Sequence, residues 1–202
     1  MICPPRFSQT NCRGLRRHSA AIHQKLGNLP DTQTQILAYT REPVAFLLSL
    51  FHHQIRVGVY DGTFHDFVNG HMNLNNARFD KRLAGWRDVF GAQNVLAPDY
   101  DQAQRNHGAT GIVADFLALM GHANVQLPQA DRQVNAGVHP WLLDAYRQVY
   151  ATDLLNREKR VLFEGLLTLG AQMPRVSAAA YYLGDDGLKE LQARIADPSI
   201  AF

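Results

Sequence analysis

Cysteine is scarce: Cys3 and Cys12 are the only two in 202 residues. Two thiols cannot staple a domain of this length, so a reducing compartment is the expectation. Long apolar runs are missing too. No stretch approaches about eighteen uncharged apolar residues, which excludes a spanning helix, and no membrane partner is expected. After Met1 the chain passes Pro4, Pro5, Arg6 and Arg13 without an apolar leader core, and the expected location is cytoplasmic. Lysine is rare, four residues against sixteen arginines, and the net charge of +2 singles out no partner. The arginine fork suits carboxylates and phosphates, a slight tilt toward anionic ligands that genome composition would produce equally well. Neither a helix-turn-helix nor a zinc signature is present, so nucleic acid is not expected as a partner. What is there, 46% apolar and 19% charged residues, excludes global disorder. It suits one domain over 1–202, with a poorly defined start (1–28), an α/β part (29–127) and a helical part packed on the same core (128–202).

Within that frame, Ile36-Leu37-Ala38-Tyr39 reads as a short buried strand. Val44, Leu47, Leu48, Phe51 and Ile55 share one helical face, with Pro43 in its first turn. Phe64 and Phe67 belong to a short helix ending near Gly70. Phe79, Leu83, Trp86 and Phe90 recur at helical spacing up to Gly91, with Trp86 as a buried anchor. Asn94-Val95-Leu96-Ala97 is a second strand stopped by Pro98, and Ile112 to Met120 a helix closed by Gly121. Beyond Pro128 the chain is helical only, with faces Trp141–Leu142–Ala145–Tyr146–Val149, Val161–Leu162–Leu166–Leu169 and Leu188–Leu191–Ile195. The order predicts an α/β layer with a parallel sheet. Two strands are few for it, since an open sheet carries about five, and such short ones leave long edges exposed.

Chemical content concentrates in Ile36 to Ser49. Arg41 leaves the C-terminal end of the first strand, where open α/β sheets keep their ligand crevices. Ser49 lies two turns into the next helix, and an arginine fork and a hydroxyl can converge on one phosphate. The plainer reading pairs Arg41 with Glu42 or another carboxylate and leaves Ser49 on the helix surface; both stay open. The segment Arg41-Glu42-Pro43 with Ser49, continued through Phe64-His65-Asp66-Phe67, Leu83-Ala84-Gly85-Trp86, Val89 to Leu96, Asp99-Tyr100 and Asp115 to Gly121, resembles the PAPS-dependent sulfotransferases, bacterial and carbohydrate-directed members above all. The likeness runs from Leu29 to Gly121, with weaker traces to Trp141. It implies a P-loop-NTPase-like three-layer α/β domain with a parallel sheet and a helical C-terminal part. It also implies transfer of a sulfonate from PAPS to a hydroxyl of a carbohydrate or other small acceptor, with adenosine 3',5'-bisphosphate as product. Arg41 and Ser49 would then hold the nucleotide 3'-phosphate. His18, in Arg16-Arg17-His18, resembles the Lys-x-His segment whose histidine is the catalytic base; its plain alternative is a solvated residue in a basic patch.

Two departures bear on that implication. The family's Gly/Ser/Thr-rich loop with its lysine, which grips the 5'-phosphosulfate, has no counterpart around Lys25-Leu26-Gly27, and the later Asn-x-Ser element reads Asn135-Ala136-Gly137. The chain therefore resembles an N-terminally truncated sulfotransferase domain with little or no transfer activity. The alternative is a non-catalytic nucleotide-binding, anion-binding or structural remnant of the same fold. Its leftover apolar faces could be covered by self-association into a homo-oligomer. No metal is expected.

Overall fold

The computed structural model describes residues 12–27, 33–128 and 138–197. Cys3 and the Asn135–Ala136–Gly137 element lie outside them. In chain order the elements are α1 (Cys12–Leu26), β1 (Ile36–Leu37), α2 (Pro43–Arg56), α3 (Phe64–Asn69), α4 (His71–Ala77), α5 (Phe79–Phe90), β2 (Val95–Leu96), α6 (Tyr100–His107), α7 (Gly111–Leu119), α8 (Pro140–Tyr150), α9 (Asn156–Gly170) and α10 (Ala178–Ala196). They form two compact units that interleave along the chain, one holding α2–α4 and α8–α10, the other α1, both strands and α5–α7.

The first unit is all helix. Along α2, Val44, Leu47, Phe51 and Ile55 recur every three or four residues, and all four are buried. Phe51 is the hub. Its ring meets those of Tyr60, Phe64, Phe67 and Tyr182 at centroid distances of 5.2–6.0 Å, in the tilted and edge-on geometries aromatic quadrupoles favour. Thr63 caps α3 by accepting the Asp66 amide at 3.1 Å and donating to its carboxylate at 2.6 Å. One expected face holds in part and one is turned: Leu142, Tyr146 and Val149 of the α8 face reach the core. On α8 the buried set is Leu142, Leu143 and Tyr146, leaving Trp141 61% exposed. On α9 Phe163 is inside, its ring 4.6 Å from that of Tyr146, and Val161 is 71% exposed. On α10 Leu191 is buried, with Leu188 and Ile195 packed beside it.

The second unit contains the only strands among the described residues. β1 and β2 pair in parallel, Ile36 opposite Val95 and Leu37 opposite Leu96. The ribbon is prolonged by Ala38 N–H to the Leu96 carbonyl, Thr40 N–H to that of Pro98 and Tyr100 N–H to that of Thr40, at 2.8–3.0 Å. Against one face, Leu83 and Phe90 of α5 make a small core with Val95, joined by Ile36, Ala38, Trp86, Val89 and Ala97. Gly91, at φ +83°, closes α5 as its sequence position predicts. α1 packs on α5, with the buried Ser19 hydroxyl within reach of the Arg16 and Gly85 carbonyls. α7 lies so close to α6 that a Cβ at Gly111 would stand 2.7 Å from the Ala103 carbonyl oxygen.

These observations correct the family expectation. The two runs read as strands do pair in parallel, but each contributes two residues, and the described residues are otherwise predominantly helical. A P-loop-NTPase-like three-layer α/β fold buries a multistranded parallel sheet between helices, and the apolar helical faces here bury mainly against one another. The resemblance to PAPS-dependent sulfotransferases therefore does not hold at the level of fold. With it fall sulfonate transfer, the conditional identity as a sulfotransferase, and PAPS with adenosine 3',5'-bisphosphate as cofactor and product, because their nucleotide crevice belongs to the sheet. No described helix is long and apolar enough to cross a membrane.

The helical unit also seals polar atoms. His52 Nε2, Asn75 Oδ1 and His139 Nδ1 are buried without a hydrogen-bond partner. Burial holds the His52 imidazole down at about 4, the Asp144 carboxylate pulling weakly upward. The unfolded chain takes that proton near its ordinary value of 6.5, so between 6.5 and 4 the unfolded state binds more protons. Stability should be whole above pH 6.5 and fall by about 3 kcal/mol as the pH drops to 4. Urea unfolding across this range checks it, and His52→Leu should remove most of the slope.

Candidate functional site

A parallel pair uses the backbone groups of alternate residues on each strand. On β1 the groups of Ala38 and Thr40 turn toward β2 and its continuation. The N–H and C=O of Leu37 and Tyr39 consequently point to the opposite edge, where no described strand pairs. A cavity of 460 Å³ lies along that edge. Six consecutive residues, Gln35 to Thr40, form one wall, and no residue of β2 takes part, which fixes the cavity on the outer side of β1. Phe79, Arg82, Leu83 and Trp86 form the other wall. Their spacing of three, four and seven places them on one face of α5. Trp86 is half-buried, stacked on Phe90 at 5.8 Å, so the residue expected as a core anchor also serves as groove wall. Arg82 is the one charged side chain of the lining.

The strand is fastened at its C-terminal end. Tyr39 donates its hydroxyl to Asp115 of α7 at 2.7 Å. Burial first, then that hydrogen bond and the Asp115 charge, push the phenol up to about 12, so it is a neutral donor at any physiological pH. Arg41 follows Thr40, whose bridge to Asp99 ends the ribbon. The Arg41 Nε donates toward both Asp101 carboxylate oxygens at 3.1 and 3.2 Å, and its guanidinium carbon stands 5.3 Å over the Tyr100 ring. The carboxylate of the plainer reading is thus sixty residues away in the chain, at the start of α6.

Ser49 belongs to the other unit, exposed on α2, and His18 is exposed on α1 directly before the buried Ser19. Arg41 is thus paired with Asp101, while Ser49 and His18 are exposed. The groove itself escaped sequence reasoning, although one signal was there: strands too few and too short leave an edge open. No family model matches the chain, nor does any curated protein or solved structure.

The Arg41–Asp101 pair is about one-third exposed on each side. Asp101→Ala should lower stability by about 1 kcal/mol, the scale of such pairs. In urea melts the difference from wild type should shrink at 1 M salt, where the Debye length falls to about 3 Å.

Proposed function

We propose that the strand-bearing unit is a peptide-recognition module. It accepts an extended segment of a partner protein as a third strand along the outer edge of β1. One observation carries this reading: the N–H and C=O groups of Leu37 and Tyr39 face an open groove of 460 Å³ instead of a neighbouring strand. Two donors and two acceptors, alternating along an edge, are the complement of another extended backbone. An apolar small molecule would fill the Phe79–Leu83–Trp86 wall and leave those four groups unanswered.

The energetics point the same way. A two-stranded ribbon is marginal on its own, and an unpaired edge is a template for any strand that fits. Each added backbone hydrogen bond contributes about 0.5–1.5 kcal/mol net. Apolar side chains of the guest gain further by leaving water against Phe79, Leu83 and Trp86. Recognition of this kind needs no base, nucleophile or cofactor. The two-cysteine composition is compatible with a cytoplasmic site of action.

The test uses a fluorescein-labelled peptide alternating valine and threonine, with single N-methyl groups moved along it. Saturable anisotropy binding is expected. Methylation at one alternate set of residues should weaken it at least about tenfold, and methylation at the other set should do little. Leu37→Pro deletes an outward N–H that the β1–β2 pairing does not use, and should abolish binding with the ribbon intact. Equal sensitivity at every methyl position, or no binding by wild type, contradicts the reading.

A further inference from the structure

The two faces of β1 meet different surroundings. Ile36 and Ala38 pack with Trp86 on the small core of Leu83, Phe90 and Val95, so these alternate side chains face α5. Tyr39 turns the other way and places its hydroxyl on Asp115 of α7. A strand added along the outer edge shares this alternation. Its residue abreast of Ala38 sends its side chain to the α5 face as Ala38 does, whichever way the guest runs. Ala38 is the smallest of the ten side chains that line the cavity. Side chains abreast on one face have Cβ atoms about 4.5–5.5 Å apart and compete for the same space above the sheet. A lone methyl group at Ala38 leaves most of that space to its neighbour.

We infer that the groove selects extended segments with a large apolar side chain, leucine or an aromatic, at the one position abreast of Ala38. Leu83 and Trp86 form the opposite wall of this pocket, and Ala38 sets its size. The inference rests on the strand-addition reading and names the anchor of its guest. A cavity of 460 Å³ falls in the range of pockets that bury whole small ligands, about 300–1,000 Å³, so it has room for a ring. A small guest side chain leaves the gap to the α5 wall unfilled and forfeits the contacts on that side. The backbone groups of Leu37 and Tyr39 meet every guest sequence alike. They supply affinity, and the pocket beside Ala38 supplies the choice among segments.

The experiment compares fluorescein-labelled Thr-Thr-Thr-X-Thr-Thr-Thr peptides with X as Ala, Val or Phe, so that X is the one apolar side chain offered. The alternating valine–threonine peptide serves as reference. Wild type should bind the Phe peptide at least about tenfold tighter than the Ala peptide, with Val between. Ala38→Leu fills the pocket from the strand side. It should weaken the Phe peptide at least about fivefold and leave the Ala peptide within about twofold, so that the spread collapses. Should Ala38→Leu disturb folding, Ala38→Val, which suits a strand, should act in the same direction with a smaller effect. Equal affinity of the three peptides, each sensitive to alternate N-methylation, overturns the pocket and leaves strand addition standing. A spread that survives both exchanges at Ala38 overturns it equally. If neither this series nor the reference peptide binds, the underlying reading falls as well. A wild-type protein that dimerises and loses peptide binding as its concentration rises places a second copy in the groove, and that also overturns the proposal.

Discussion

Alternate residues of a strand turn their backbone groups to opposite edges, and this constraint organises the strand-bearing unit. Pairing Ile36 and Leu37 with Val95 and Leu96 satisfies one edge of β1 and leaves Leu37 and Tyr39 facing outward. Buried, those groups would cost about 1–3 kcal/mol each without partners, so the groove beside them must stay open to water or to a guest. α5 supplies both the lid of the small core, through Leu83 and Phe90, and the outer wall of the groove, through Phe79, Arg82 and Trp86. One helix thus stabilises the ribbon and shapes its free edge. The Tyr39–Asp115 and Arg41–Asp101 contacts then fix the strand end on which the edge depends.

The all-helical unit obeys a different constraint. Its core is built around the ring of Phe51, and on α9 the Phe163 ring turns inward onto Tyr146. Close packing of that kind seals His52 Nε2, Asn75 Oδ1 and His139 Nδ1 away from any partner. For His52 the cost appears as an imidazole that stays neutral far below its ordinary range.

Local patterns were legible where local physics decides them. The strand runs at 36–39 and 94–97, the α2 face from Val44 to Ile55 and the glycine stops at Gly91 and Gly121 all follow from side-chain period and backbone freedom. α4 and α6 escaped because His71–Ala77 lacks an apolar stripe and Tyr100–His107 is almost wholly polar apart from Tyr100 and Ala103. The face of α9 escaped, and Trp141 was wrongly placed on that of α8, because Val161 and Trp141 match helical spacing as well as the residues that are buried. The family resemblance misled for a related reason. A strand followed by helices and a second strand is compatible with many topologies, and nothing in a six-residue window says how many strands the sheet will hold. Arg41 with Asp101, and the groove between 35–40 and 79–86, join segments far apart in the chain. No spacing rule reaches that far.

The most direct measurement is residue-resolved amide hydrogen exchange along β1, read by NMR with and without the alternating valine–threonine peptide. Ala38 and Thr40 donate within the ribbon and should exchange slowly in both states. Leu37 and Tyr39 should exchange fast in the free protein and become protected, by an order of magnitude or more, when the peptide is bound. Amides of Leu37 and Tyr39 already protected in the free protein, or unchanged when the peptide binds, would contradict the account.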